Sequence, residues 1–546
     1  ESDSSNSDIS GHFHFQAACD QTMPKPGTVS KRFLQTGSQS NEACAVAWGW
    51  RMLARMFSAP RSRRQLVIAI LGLVGIYALL LIPEAEPPVI SGAGKQPFIW
   101  ARDQLWQDLE KQLREARQLS PPGRVAGFEA KLERVHRALD HIAGTNLPPT
   151  AVAFDEVEAA FFQCAVLAAV NPKRNNDFML AAGRLADLAR RQSESWPPDS
   201  VEARQRSYRL LFGRRAAVEE VMLQLAPAFN PLELVPTNEP SAAPFAEVEG
   251  VRIHSGDIFV SRGGASTSAL IARGNDYPGN FSHVALIHVD EQTQKISVIE
   301  SHIESGVGVR PIEEYLADTK LRIMVLRLRE DLPAMQTNPL LPHHAAAVAL
   351  SNSLARHIPY DFTMDYADPA NQFCSEVVSS AYQSQGLTLW SALSQVSAPG
   401  LTRWLTILGV RNFESQQPSD LEYDPQLRFV AEWRNPEALA QDRMDNAIID
   451  ARLEVAERGA KLEFNRWLLP PMRVLKAGCW VLNQLGATGP IPEGMSATTA
   501  LRVEEFKKRH AVARERLKQA AAEFQKAKGY APPYWELLQL AREAIQ

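Results

Sequence analysis

The sequence predicts an α+β protein, with one mixed segment between two helical regions and a single long apolar helix ahead of them. Three observations predict this. Apolar residues recur at three-and-four spacing over residues 96–230 and again over 433–546, the period of an amphipathic helix. Between these regions, over 248–412, the pattern shortens to runs rich in valine and isoleucine bounded by turns, which read as strands. Near the start stands LVIAILGLVGIYALLLI, residues 66–82, without one charge.

The apolar run predicts a transmembrane helix over 65–82, because at about 1.5 Å per residue it nearly matches the hydrocarbon layer. Arg51, Arg55, Arg61, Arg63 and Arg64 precede it and Glu84 and Glu86 follow. The positive-inside bias then predicts a single-pass protein of the bacterial inner membrane, its N-terminus cytoplasmic and its remainder periplasmic. Residues 52–64 form the basic juxtamembrane segment. Residues 1–51 are serine-rich and aperiodic, the signature of a disordered extension.

Composition removes several function classes. In 546 residues, 58 lysines and arginines nearly balance 62 aspartates and glutamates, so no basic excess invites nucleic acid. Five scattered cysteines make no disulfide framework. His12, His14 and Cys19 lack a second ligand pair at zinc spacing. The sequence carries neither a phosphate loop nor a dinucleotide fingerprint. No metal and no cofactor is expected.

The first helical region, 96–230, divides into about five helices at SPPGR, NLPPT, NPKRNN and WPPDS, where proline and asparagine interrupt the helical period. A proline-rich linker covers 231–247. The mixed segment then offers GDIFVSR, SHVALIHV, KISVIES, GVGVRPI and RIMVLRL as strands, with HAAAVALSNSLARH and CSEVVSSAYQSQG as helices. The final region is helical again, and its many outward charges read as a solvated face.

One stretch, NQFCSEVVSSAYQSQG, carries the chemical question. Gly386 lies twelve residues beyond Cys374 and suits a helix C-cap, which places Cys374 at the helix N-terminus. Exposed amides and the helix dipole favour a thiolate there. The cysteine is either core filler or a working nucleophile. A nucleophile needs an imidazole to take its proton, and His283 is the candidate because it starts a strand after the loop RGNDYPGN. Glu300, ending the strand KISVIES, is the candidate to orient that ring. Asp257 reads as a turn residue and Glu376 as a brace for the helix start.

The ordered motifs GDIFVSR, FSHVALI, VIES…GVGVRPIEEYL and YDFTMDYADPANQFCSEVV resemble those of the permuted papain-like cysteine hydrolases, the YiiX/YaeF-like relatives of NlpC-type cell-wall enzymes. The resemblance implies a circularly permuted papain-like domain whose histidine precedes its cysteine. It implies Cys374 as nucleophile, His283 as base and Glu300 as the polar third member. The pair Tyr360-Asp361 matches the family's YD, with Tyr360 lining the substrate cleft. His283 is followed by Val284 and Ala285, where the family often has valine and glycine.

The leading expectation is a membrane-anchored extracytoplasmic cysteine peptidase or amidase. Its substrates would be peptides, peptidoglycan fragments among them. The alternatives are a lipid-directed acyl hydrolase or acyltransferase acting on acyl lipids, and a non-catalytic scaffold.

Overall fold

β-Branched residues in short alternating runs build the centre of the molecule. In the computed structural model, which describes residues 63–88, 98, 103–225, 239–366, 368–434, 436–485 and 487–546, the strands in chain order are β1 (Phe245–Val248), β2 (Val251–His254), β3 (Ile258–Gly263), β4 (His283–Val289), β5 (Ile296–His302), β6 (Gly306–Pro311), β7 (Lys320–Leu328), β8 (Ser394–Gln395), β9 (Glu414–Ser415) and β10 (Leu427–Arg434). Six of them form one sheet in the order β10-β7-β3-β4-β5-β6, with every neighbouring pair antiparallel.

Successive side chains alternate between the two faces of this sheet. Val260, Val284, Leu286, Ile299 and Met324 enter the larger core, together with Val377, Val378 and Ala381 of the helix Cys374–Gln383. Phe259, Ala285, Ile287, Val298 and Val325 enter a second core with Tyr315 and Trp433. Both faces are therefore covered. That explains strands such as RIMVLRL, which are buried along their whole length.

Helices Asp103–Gln118, Pro121–Ala143, Val152–Ala168, Asn175–Ser193 and Val201–Leu225 precede the sheet. Proline sets their starts: Ser120 accepts a hydrogen bond from the Gly123 amide at 3.3 Å ahead of Pro121 and Pro122. After the sheet come helices Pro436–Glu457, Leu469–Gln484, Ala497–Lys528 and Tyr534–Ala544. The 32-residue helix Ala497–Lys528 is capped by Ser496 and closed by Gly529 at φ 78°, a backbone conformation that glycine adopts without penalty.

A buried ionic network links these regions. Arg322 on β7 donates to Glu219 of the helix Val201–Leu225 at 2.5 Å and to Asp442 of the helix Pro436–Glu457 at 2.7 Å. Arg215 donates to Glu422 and to Glu432 on β10, at 2.5 and 2.7 Å. All six side chains are buried.

The apolar N-terminal run requires a correction. It forms the helix Arg63–Leu80, shorter than the expected 65–82 span at its C-terminal end, and among the described residues no helix is long and apolar enough to cross a membrane. Proline at 83 and the turn at Leu81 and Ile82 end the helix before the span is complete. The extension expected over 1–51 and nearly all of the basic segment 52–64 lie outside the described residues, as does the linker 231–247 up to residue 238. The chain divides into two units, residues 1–75 and 76–546, and the sheet with all the helices from Asp103 onward belongs to the second.

Candidate active site

The helix that begins at Cys374 packs its valines against β4, which fixes the cysteine near the end of the strand where His283 stands. Phe373, the residue before it, has extended geometry (φ −86°, ψ 173°). The Glu376 carboxyl turns back to accept the Phe373 amide at 2.9 Å, half of a capping box. Two further bonds hold this helix in register. Ser301 Oγ donates to the Gln372 carbonyl at 2.6 Å, and Tyr382 Oη donates to the Gly256 carbonyl at 2.6 Å.

His283 is the first residue of β4 and pairs with Ser261 of β3. Its Nε2 donates to Glu300 Oε2 at 2.6 Å, which leaves Nδ1 as the basic atom of the ring. Glu300 is 1% exposed and sits opposite Ala285 in the β4–β5 ladder. Its second oxygen lies 2.7 Å from His302 Nε2 and 3.7 Å from Arg310. Glu300 and His302 are two apart on one strand, so they share a face. That spacing in VIESH is the signal from which His302 could have been found, a residue to which the sequence motifs assign no role.

Burial would raise the Glu300 carboxyl, but the hydrogen bonds and charges of His283 and His302 outweigh it and hold the group well below the ordinary range. For His283, burial lowers the imidazole, and the bond to Glu300 only partly restores it. Burial also pushes the Cys374 thiol up to about 11, against the pull of the Val284 and Ser375 amides. Val284 directly follows His283. Among the described residues no hydrogen bond joins Cys374 to His283. The structure thus joins two of the three candidates directly and sets the third at the head of the helix packed on the same strand.

This charge state gives a test. With the resting thiol protonated, alkylation of Cys374 by a small reagent is expected to rise about tenfold per pH unit from pH 7 to 10. The neutral protein gains thiolate only as pH climbs toward about 11. A plateau in the rate near pH 7 would reveal a preformed thiolate–imidazolium pair instead.

Cys374 lies in the wall of a cavity of about 420 Å³. Tyr360, Phe362 and Phe373 line it from the segment that leads into the Cys374 helix, and Met472, Ile491 and Met495 come from the C-terminal region. Tyr360 and Cys374 share this cavity. Asp257 accepts the His254 amide at 2.8 Å and is paired with Arg327 at 2.8 Å, which gives it a turn-ordering place. Burial and the carboxylates of Asp361, Asp365 and Asp368 raise Glu376 to about 9, against the Phe373 amide. It is therefore a neutral brace at pH 7.

His283, Glu300 and His302 also bring three potential metal-ligand atoms within 4.8 Å of one another. Glu300 Oε2 accepts from His283 Nε2 and its other oxygen lies 2.7 Å from His302 Nε2, so the carboxylate is placed to orient His283.

Residues 252–431 match the family model described as permuted papain-like amidase enzyme, YaeF/YiiX, C92 family. The resemblance carried by the sequence motifs therefore holds over this segment. No curated protein and no solved structure matches the chain.

Proposed function

We propose that the permuted papain-like amidase domain of residues 252–431 is a cysteine hydrolase that cleaves an amide or related acyl bond. The observation that carries this reading is the buried Glu300–His283 pair at the end of the strand against which the Cys374 helix packs. Cys374 attacks the carbonyl carbon while His283 Nδ1 takes the thiol proton. His283 then returns that proton to the leaving amine, or to oxygen in an ester. Water, deprotonated by the same imidazole, releases the acyl group from sulfur. The high thiol pKa makes proton transfer concerted with attack, with Glu300 stabilising the imidazolium that forms. Amides at the helix N-terminus face the developing oxyanion.

A peptide substrate, including peptidoglycan fragments, suits an amidase. The cavity supports a second reading, an acyl lipid as substrate for hydrolysis or acyl transfer. Its walls of phenylalanine, methionine and isoleucine suit an alkyl chain better than a polar peptide.

For location, a peptidoglycan substrate calls for an extracytoplasmic domain, at the bacterial inner membrane. A reporter fused after Gln546 tests that side.

The decisive experiment incubates the protein with peptidoglycan fragments and with acyl lipids beside its Cys374→Ala variant. Turnover of at least one class is expected, with a loss of more than about 10³-fold in the variant. A thiol-directed acyl probe should label Cys374 ahead of Cys164, whose thiol burial pushes up to about 12. Equal turnover by both proteins removes the mechanism. Tight binding of fragments without turnover or labelling favours a scaffold.

A further inference from the structure

We infer that the helix Leu469–Gln484 docks this protein on a lipid bilayer surface, holding the mouth of the Cys374 cavity at the lipid–water boundary. A helix on a folded domain ordinarily turns its apolar stripe inward. This one buries Leu469 against Ala497 and Leu501, and Cys479 against Ile491 and Ala500, yet it also carries an apolar outer face. Val474, Val481 and Leu485, spaced by seven and four, are 69%, 50% and 76% exposed. Trp467 and Trp480, one ahead of the helix and one near its end, are each 63% exposed. Tryptophan favours the boundary between lipid and water.

Continuity with a second apolar surface points to lipid as the occupant. The end of the apolar helix is tied to the same place. Tyr77 Oη donates to the Trp467 carbonyl at 2.9 Å. Arg473 donates to the carbonyls of Leu80 and Ile82 at 3.0 and 2.8 Å and to Glu84 at 3.1 Å. Ile76, Leu79 and Ile82 there are themselves exposed, so the apolar surface continues beyond the docking helix. The helix Arg63–Leu80 exposes Leu66, Val67, Ile68, Ile70, Leu71 and Leu73 in turn. Consecutive positions point all round a helix, and one protein partner covers only one side.

The docking helix also contributes Met472 and the 44% exposed Leu475 to the cavity that holds Cys374. Docking therefore sets that wall of the cavity against the bilayer. Only the activity arm of the test rests on the proposed hydrolase.

The full-length protein is reconstituted in vesicles of phosphatidylcholine and phosphatidylglycerol, with a photo-crosslinking amino acid at 474, at 481, or at the exposed Lys526 as control. Lipid adducts are expected at 474 and 481 and not at 526. Adducts to a second copy of the chain, or none at 474 and 481, overturn the proposal. In the activity arm, Val474→Asp combined with Val481→Asp should slow hydrolysis of a vesicle-borne acyl substrate at least tenfold. Alkylation of Cys374 by a small soluble reagent should be unchanged, and equal hydrolysis by variant and parent counts against docking. If no substrate is turned over at all, the crosslinking arm still reads docking by itself.

Discussion

Glu300→Gln is expected to lower kcat/KM by about 10³- to 10⁴-fold, the scale seen when the orienting carboxylate of a catalytic histidine becomes an amide. Glutamine fits the space, so the effect is electronic. Glu300 accepts the Nε2 proton of His283 at 2.6 Å. An amide that turns its NH₂ toward that nitrogen forces the ring's proton onto Nδ1, the atom that has to receive the thiol proton. The imidazolium formed during attack also loses its buried counter-charge.

A purely structural role for Glu300 makes a different prediction, and pH separates the two. The carboxyl is held below its ordinary range in the folded protein. Its contribution to stability is therefore complete above the unfolded pKa, about 4.3, and is lost as pH falls through the lower folded value. Thermal unfolding of the parent should show that acid loss and the glutamine variant should lack this group's share. At neutral pH the variant should remain folded while turnover collapses. A loss of less than tenfold in kcat/KM would remove Glu300 from the mechanism.

Much of this site is legible in the sequence because local chemistry fixes it. The helix at Cys374 needs only its Glu376 brace, its apolar positions and the turn at Gly386, where φ is 80°. His283 falls at the start of a strand that alternation and β-branched residues already mark, whereas Glu300, expected at a strand end, lies inside β5, which continues to His302. What local pattern does not supply is pairing over distance. The cavity wall at Met472 and Ile491 comes from a helical region that shows no chemical motif of its own. The apolar run at 66–82 has the composition of a membrane span, while the proline that ends the helix early sits just past the apolar window. Arg322 and Arg327 in RIMVLRL stand five apart and so on opposite faces of the strand, and no local pattern names a partner for either. In the structure both are buried, with carboxylate partners 70 to 120 positions away.

That distant pairing underlies the largest expected stability effect. Arg322→Met should destabilise the protein by about 3–5 kcal/mol, the usual cost of removing one partner from a buried ion pair. Methionine matches the side chain's length and packs well, so cavity formation contributes little. The cost comes from what remains. Glu219 loses its 2.5 Å bond and Asp442 its 2.7 Å bond, and both carboxylates are buried. Glu219 is held low by Arg322 against the opposing effect of burial, whereas burial dominates for Asp442 and raises it despite the same arginine. Without Arg322 both should take up protons at higher pH, so the variant's deficit should grow as pH rises from 5 to 8. Urea unfolding at several pH values measures this. Activity per folded molecule should stay near the parent's, since Arg322 touches neither Cys374 nor His283. A single variant as stable as the parent would show that the network does not bind the helical regions to the sheet.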